Sequence, residues 1–438
     1  MGDPNLHTPQ IDRMACEGLV LNGVAGTPLC CPYRGSLLTG RYPHDCVPGH
    51  QCRMPPEMPT VAHAFAEAGY HTAYIGKWHL DGCQEALGRT AFHLVPPSRR
   101  GGFHRWAGYE NNNSQWDCWI HGDPDFLRSA PGADAGTQYD EHTLHYRLPG
   151  YETDALTDLF IAHLRDRARC PDQPFFAALS VQPPHDPFMA PARWMDRHTP
   201  GRIELRANVP PIARVQEQAR RNLAGYYAMI ENLDASIGRI REALAELKLE
   251  DDTLIVFFSD HGEMAGSHGQ FAKLVPWEES IRVPFIVSPP RPFYEHRHAF
   301  LAGTGRPLIN HVDVAPTSLG LCGIAKPPAM AGFDYSYLLR PGAKAPPGEP
   351  DSAFLQSVIP TGHANSLDRP WRGIVSRDGW KYVCIERQPL MLFNLNEDPY
   401  ELANYACNRL FKAERRRLHD RLAQWIADTG DHFDLPDL

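Results

Sequence analysis

The sequence predicts an α/β fold, a layered sandwich around a mostly parallel sheet with a smaller C-terminal α+β domain. Three observations lead there. A long helical stripe runs directly into an all-apolar strand, other β-rich runs alternate with helical patterns, and a Pro/Gly cluster near residue 345 precedes short strands and a closing helix. Alternating strands and helices bury their apolar faces best as helices layered over a sheet.

Taken in order, a helical pattern at Val61–Ala68 leads into a β-rich run at His71–Gly76, and another at Asp154–Arg167 leads into Phe175–Val181. From about Gln216 to Leu249, the positions Leu223, Tyr226, Ile230, Leu233, Ile237, Ile240, Leu244 and Leu247 alternate steps of three and four. That spacing puts one apolar stripe on a helix. Thr253–Phe258 follows at once and reads as a strand buried on both faces, and Val283–Val287 as another. In such sheets the ligand site lies beyond the carboxyl ends of the strands. Pro341, Gly342, Pro346, Pro347, Gly348 and Pro350 mark a boundary dividing a large domain, 1–345, from a C-terminal subdomain, 346–438. The latter holds strand-like runs at Trp371–Ser376, Trp380–Ile385 and Met391–Leu395, then a helix from about Leu410 to Ala427.

The 438 residues carry 43 Lys+Arg against 52 Asp+Glu, a formal charge of −9, which argues against a nucleic-acid partner or an anionic membrane. Apolar blocks such as Leu254–Phe258 are far shorter than the roughly 18–20 residues of a membrane span. The start, Met1–Asn5, has neither the basic region nor the apolar core of a signal peptide. The 11 cysteines form no C-x2-C pair, so a zinc framework is not indicated, and most suit small buried positions.

Chemistry concentrates in a few segments. In Cys30-Cys31-Pro32-Tyr33-Arg34-Gly35-Ser36-Leu37-Leu38-Thr39-Gly40-Arg41, Pro32 suits the first helical position and Gly40 the end, placing Cys30 just ahead of a helix N-terminus. Free N–H groups there favour an anion and lower a thiol pKa. A cysteine-phosphatase loop does not fit, because Ser36 and Leu37 stand where Cys-x5-Arg needs its arginine; a capped helix with a buried Cys pair is the bland alternative. Further on, Gly69–Leu80 is a short strand delivering Lys77 and His79, two residues apart, at its end. Phe175–Val181 runs into Pro183-Pro184-His185-Asp186-Pro187, and the apolar strand ends in Ser259-Asp260-His261-Gly262-Glu263, a plausible cation site. His268–Lys273 leads into Trp277–Pro284.

Cys-x-Pro-x-Arg followed by Leu-Thr-Gly-Arg resembles the signature of the sulfatase family, whose signature cysteine is oxidised to formylglycine; Tyr33 stands where most members carry Ser. Gly69–Leu80 looks like the family's second signature, and the His185, Asp260-His261 and Lys273 segments follow in family order. Asn310–Thr317 and Leu392–Leu402 resemble further family segments, so the likeness spans about residues 5 to 404. It implies an alkaline-phosphatase-like α/β/α sandwich and hydrolysis of a sulfate monoester through formylglycine made from Cys30. By the same resemblance, Arg34 would hold the nucleophile, Lys77 and Lys273 would bind sulfate oxygens, His79 would assist proton transfer and His185 would protonate the leaving oxygen. A divalent cation, Ca2+ by preference, would sit on Asp260, His261 and the oxidised Cys30, and a formylglycine-generating enzyme is an implied partner.

One departure matters. The resemblance implies two acidic metal ligands on a strand some 20–30 residues upstream of the segment that Gly2–Pro9 resembles, and the sequence begins at that segment. The expectation is a truncated N-terminus, which leaves secretion and compartment open. For substrate, the amide- and indole-rich stretch Gly108–Trp119, with Asn112, Asn113 and Trp116, suits a sulfated carbohydrate; a loop packed by its own tryptophans fits equally. Two other functions share these residues: a phosphonate or phosphodiester hydrolase of the same superfamily, and a non-catalytic relative with an incomplete metal site.

Overall fold

The computed structural model describes residues 2–88, 90–128, 136–290, 299–300, 306–340, 342–361 and 366–438; Pro341 of the boundary cluster lies outside them. Two mixed sheets and one antiparallel sheet organise the chain. The first contains β1 (Leu19–Val24), β8 (Ile255–Phe258), β9 (Arg282–Ser288), β10 (Ala299–Phe300) and β11 (Leu308–Asn310), in the order β10-β1-β9-β8 with β11 also on β1. The second contains β2 (His71–Lys77), β3 (Arg105–Tyr109), β4 (Trp119–Gly122), β5 (Thr137–Asp140), β6 (Thr143–Arg147) and β7 (Phe175–Ser180), in the order β5-β6-β4-β3-β2-β7.

The α/β class holds, but the sheets are less parallel than expected. β2 pairs parallel with β3 and β7, whereas β9 runs antiparallel to both β1 and β8. The physical reason is the connection from β8 to β9: it returns along the same sheet without a crossover helix, and only a parallel neighbour requires one. Apolar periodicity marks a strand and carries no direction.

The stripe on the long helix, Ala213–Glu246, is real: Leu223, Ile237 and Leu244 are buried. It lies over a cavity of about 1560 Å³ that also runs along the whole of β7 and β8. These two strands end their respective sheets, and every residue of each is half-buried. The expectation that Thr253–Phe258 is buried on both faces therefore fails, because β8 has β9 on one side and the cavity on the other.

β12 (Ser352–Ser357), β13 (Trp371–Ser376), β14 (Trp380–Ile385) and β15 (Gln388–Asn394) form the antiparallel C-terminal sheet. The helix Lys412–Thr429 covers it, burying Leu418 and Leu422 against Phe354, Tyr382 and Leu392. This sheet is not detached: Val24 and Ile281 share an apolar cluster with Trp371 and Val383. A buried ion cluster adds a second tie. Lys381, fully buried, donates to the Pro276 carbonyl at 2.7 Å and to Glu278 at 3.2 Å, and pairs with Glu401.

Candidate active site

The site forms where β2, β7 and β8 end, at the N-terminus of the helix Cys30–Thr39. Leu29, in extended conformation, precedes the helix, and Gly40 closes it with a left-handed φ of 64° and an N–H donated to the Ser36 carbonyl. Cys30 is therefore the first helical residue and Pro32 the third, a shift of two from the expected start. Proline is tolerated there because the first-turn N–H groups have no intrahelical acceptor.

Arg34 joins the three strand ends. One guanidinium nitrogen donates to the Lys77 carbonyl at 2.9 Å and to Ser180 Oγ at 2.7 Å, and the other lies 3.4 Å from Asp260 Oδ2. Cys30 Sγ sits 3.2 Å from His261 Nε2 and 3.9 Å from Lys77 Nζ. Burial pushes the Cys30 thiol up, but Lys273, Lys77 and His261 outweigh it and hold the group well below the usual thiol range. For Cys31, one residue on, burial and the neighbouring Cys30 outweigh Lys77 and the Gln51 N–H and drive its pKa up. The adjacent cysteines thus shift in opposite directions, Cys30 toward the thiolate and Cys31 toward the thiol.

Lys273 lies in a segment of forced backbone, between Ala272 at φ 63° and Leu274 at φ 77°. Non-glycine residues pay to adopt this region, so the surrounding structure fixes the lysine rather than leaving it to a mobile loop. Burial opposes its charge, and Cys30, Asp260 and Glu263 together keep it protonated. His79 also has a positive φ, 58°. The strand stops at Lys77, so the two residues do not simply alternate onto one face as expected; the turn aims His79 instead. Burial pulls the His79 imidazole down to about 4, so the ring is neutral.

His185 donates from Nδ1 to the Asp186 carbonyl at 2.8 Å. Burial first, then Lys273 and Lys77, pull it down to about 3. In the free site it is therefore neutral with an unprotonated Nε2, a base until a proton reaches it. His261 shows the same arrangement: Nδ1 donates to the Gly262 carbonyl at 2.9 Å, leaving Nε2 toward Cys30 and Asp260.

That tautomer is the one a metal-binding histidine needs. The donor atoms of Cys30, Asp260 and His261 lie within 4.8 Å of one another. Burial would raise Asp260, yet His261 and Arg34 contribute to keeping it ionised. These residues fit a divalent cation in position, and Asp260 also in ionisation; against burial, Asp260 and Cys30 hold the His261 imidazole up, toward a proton that a bound cation would displace. Among the described residues the cluster contains a single carboxylate, fewer oxygens than the 6–8 that Ca2+ takes.

The remaining expected residues brace the site. Asn112 is buried, its Nδ2 donating to the Ser114 carbonyl and its N–H to Gln182 Oε1. Asn113 Oδ1 accepts from Gln182 Nε2, and Gln115 Nε2 donates to the His185 carbonyl. Trp116 packs edge-on against Tyr151, 37% exposed. Sequence reasoning missed Ser180 and Tyr74, which anchor Arg34 and the Lys77 carbonyl, and His50 and Glu85, which adjoin His79. None of the four stands in a residue pattern that flags it.

Comparisons with known proteins identify the family and the fold. The sulfatase family model matches residues 1–324, and the model for the C-terminal part of N-sulphoglucosamine sulphohydrolase matches residues 266–428. An ulvan-active sulfatase of Formosa agariphila is 33% identical over 443 residues, covering 99% of this chain and 78% of that protein. Among solved structures, the putative sulfatase yidJ of Bacteroides fragilis superposes with a TM-score of 0.82 at 24% identity, covering 98% of this chain and 92% of that one. A protein solved with its substrate D-glucosamine-2-N,6-O-disulfate gives 0.79 at 20% identity, covering 98% and 94%, and shares the fold. On the family match and the 33% relative, the chain belongs to the sulfatase family of sulfuric ester hydrolases.

Proposed function

We propose that the protein hydrolyses a sulfated carbohydrate through a nucleophile made from Cys30. The observation that carries this reading is the anion-seeking pocket around one buried cysteine, with Lys77, Lys273 and Arg34 converging at a helix N-terminus. Oxidation of Cys30 to formylglycine by an external formylglycine-generating enzyme would supply a hydrated aldehyde, one hydroxyl of which would displace the alcohol at sulfur while the other would expel sulfate and restore the aldehyde. Asp260 and His261, with the residue at position 30, would hold a divalent cation, Ca2+ by the resemblance, which supplies Lewis acidity at the sulfate.

The chain's own side chains do the rest. Lys273, which Cys30, Asp260 and Glu263 keep protonated, and Lys77, whose ammonium burial pulls down, bind sulfate oxygens in a buried setting where a bound anion is little screened. Arg34 is spent on holding Asp260 and the Lys77 carbonyl, so its work is to fix the two charged walls. His79, neutral, takes the proton from the nucleophile. His185 acts as acid to the leaving oxygen only after the bound sulfate offsets the lysine charges that keep it unprotonated. Asn113 and Trp116 face solvent near the His185 loop and would meet the sugar.

The test is turnover of aryl and sugar sulfates by protein made in a host with a formylglycine-generating enzyme, alongside mass spectrometry of the Cys30 peptide. Sulfatase activity that rises with conversion and disappears in C30A is expected. A strong preference for an aryl phosphonate, or full activity with unmodified Cys30, overturns the reading.

A further inference from the structure

A second group of donors lies beside the nucleophile and includes the adjacent cysteine. Donor atoms of Cys31, His50 and His79 all lie within 4.8 Å of one another. Cys31 Sγ is 3.8 Å from His50 Nδ1, and the rings of His50 and His79 meet edge-on at 86° with centroids 5.5 Å apart. Glu85 Oε1 stands 3.6 Å from His50 Nε2 and 3.8 Å from His79 Nε2. His79 is 3% exposed, and among the described residues neither ring nitrogen makes a hydrogen bond of good geometry, Cys30 being its polar neighbour.

We propose that Cys31, His50 and His79 form a second metal site, for a borderline divalent ion such as Zn2+, with Glu85 orienting His50 from behind. In a tetrahedral site with Zn–S near 2.3 Å and Zn–N near 2.0–2.1 Å, neighbouring ligand atoms stand roughly 3.3–3.8 Å apart. The Cys31–His50 separation already meets that, and the group as a whole needs to close by about 1 Å. One thiolate and two imidazoles suit Zn2+ or Co2+ and disfavour Ca2+ or Mg2+. Here the site differs from the Cys30, Asp260 and His261 cluster, which includes a carboxylate. Asn111 Nδ2 donates to Glu85 Oε1 at 2.7 Å and fixes the carboxylate beside the two rings. A carboxylate on the outer nitrogen of a histidine is the usual support of a metal ligand.

Binding balances simply. The Cys31 S–H bond breaks, its proton passes to solvent, and the sulfur pair forms the metal bond; the imidazoles bind neutral. Occupancy takes a lone pair of His79, which on the proposed mechanism leaves the enzyme inhibited.

Cobalt reports a thiolate ligand by its charge-transfer band, without turnover. Cys30→Ser removes the other candidate thiolate, so a band in C30S comes from the second site. The expected result is one Co2+ per chain in C30S with a thiolate band, displaced by Zn2+. The band should vanish in C30S/C31S, and affinity should fall about 10–100-fold in C30S/E85Q and further in C30S/H50Q. Melting temperatures of the half-buried His50 and Glu85 variants guard against misfolding as an explanation. Absence of a thiolate band in C30S, or an affinity unmoved by H50Q and E85Q, overturns the proposal. In matured enzyme, Zn2+ should inhibit at least about 10-fold less strongly in E85Q. Equal inhibition would refute the link to His79 while leaving the cobalt result, and the sulfatase reading, to stand or fall separately.

Discussion

Lys77→Met, made in a host that leaves Cys30 unmodified, isolates the electrostatics of the pocket. Met keeps most of the side-chain volume and removes the charge 3.9 Å from Cys30 Sγ. At an effective dielectric constant of about 20, two unit charges at that distance attract by 332/(20 × 3.9), about 4 kcal/mol. That equals about 3 pKa units, since one unit is about 1.4 kcal/mol. The titration of Cys30 is read from ultraviolet thiolate absorbance, as the difference between each protein and its C30A counterpart. In the unsubstituted protein the midpoint should lie well below the ordinary thiol value of about 8.5, because Lys273, Lys77 and His261 together overcome burial. In K77M it should rise by about 3 units, with the same direction in K273M. An ordinary midpoint in the starting protein, or one unmoved by K77M, would refute the account of the pocket as an anion site centred on position 30.

Other outcomes follow from the same geometry. H185A should slow hydrolysis of a sugar sulfate by about 10²–10⁴-fold while changing an activated aryl sulfate little, because only the poor leaving group needs a proton; equal losses on both would remove His185 from that role. Glu152, fully buried, is pushed up to about 7 by burial and receives the Tyr109 hydroxyl and the Gln182 N–H on one oxygen, while among the described residues the other oxygen has no hydrogen-bond partner. Between pH 4 and 7 the folded state then binds a proton that the unfolded chain has lost, so Glu152 makes stability fall as pH rises through that window. E152Q should therefore stabilise by at most about 3–4 kcal/mol at pH 8 and hardly at pH 5, in denaturant melts at the two values. Gly76 has φ 110°, and a Cβ there would sit 2.0 Å from the Ser180 carbonyl oxygen. G76A should cost about 2–4 kcal/mol and separate Ser180 from Arg34; a near-neutral melt would contradict the tight β2–β7 register at the site.

Local chemistry explains which parts could be read from the sequence. Strands β13 and β14, and the left-handed close at Gly40, were legible because each depends on its own residues. The direction of β9 and the half-burial of β8 were not, since both are set by partners hundreds of residues away or by the cavity beside them. Cys30, Lys77, Asp260 and Lys273 come together as the order of segments suggested. Asn112 looked like a sugar ligand by composition, yet its amide is consumed within its own loop. His50 and Glu85 escaped notice because a single His or Glu in a loop gains meaning only from the ring placed beside it.

The Lys381 ion cluster ties the C-terminal sheet to the segment that carries Lys273. Its ammonium grips the carbonyl of Pro276 and the carboxylate of Glu278, three and five residues beyond Lys273. Loosening β14 would release the far end of the strained segment that aims Lys273, the lysine proposed to bind sulfate. Heat inactivation should then follow the melting of the smaller unit, even while the larger sheets remain intact. For the same reason a chimaera that exchanges the C-terminal sheet alone, without residues 272–281, would fold two sound halves around a misdirected Lys273.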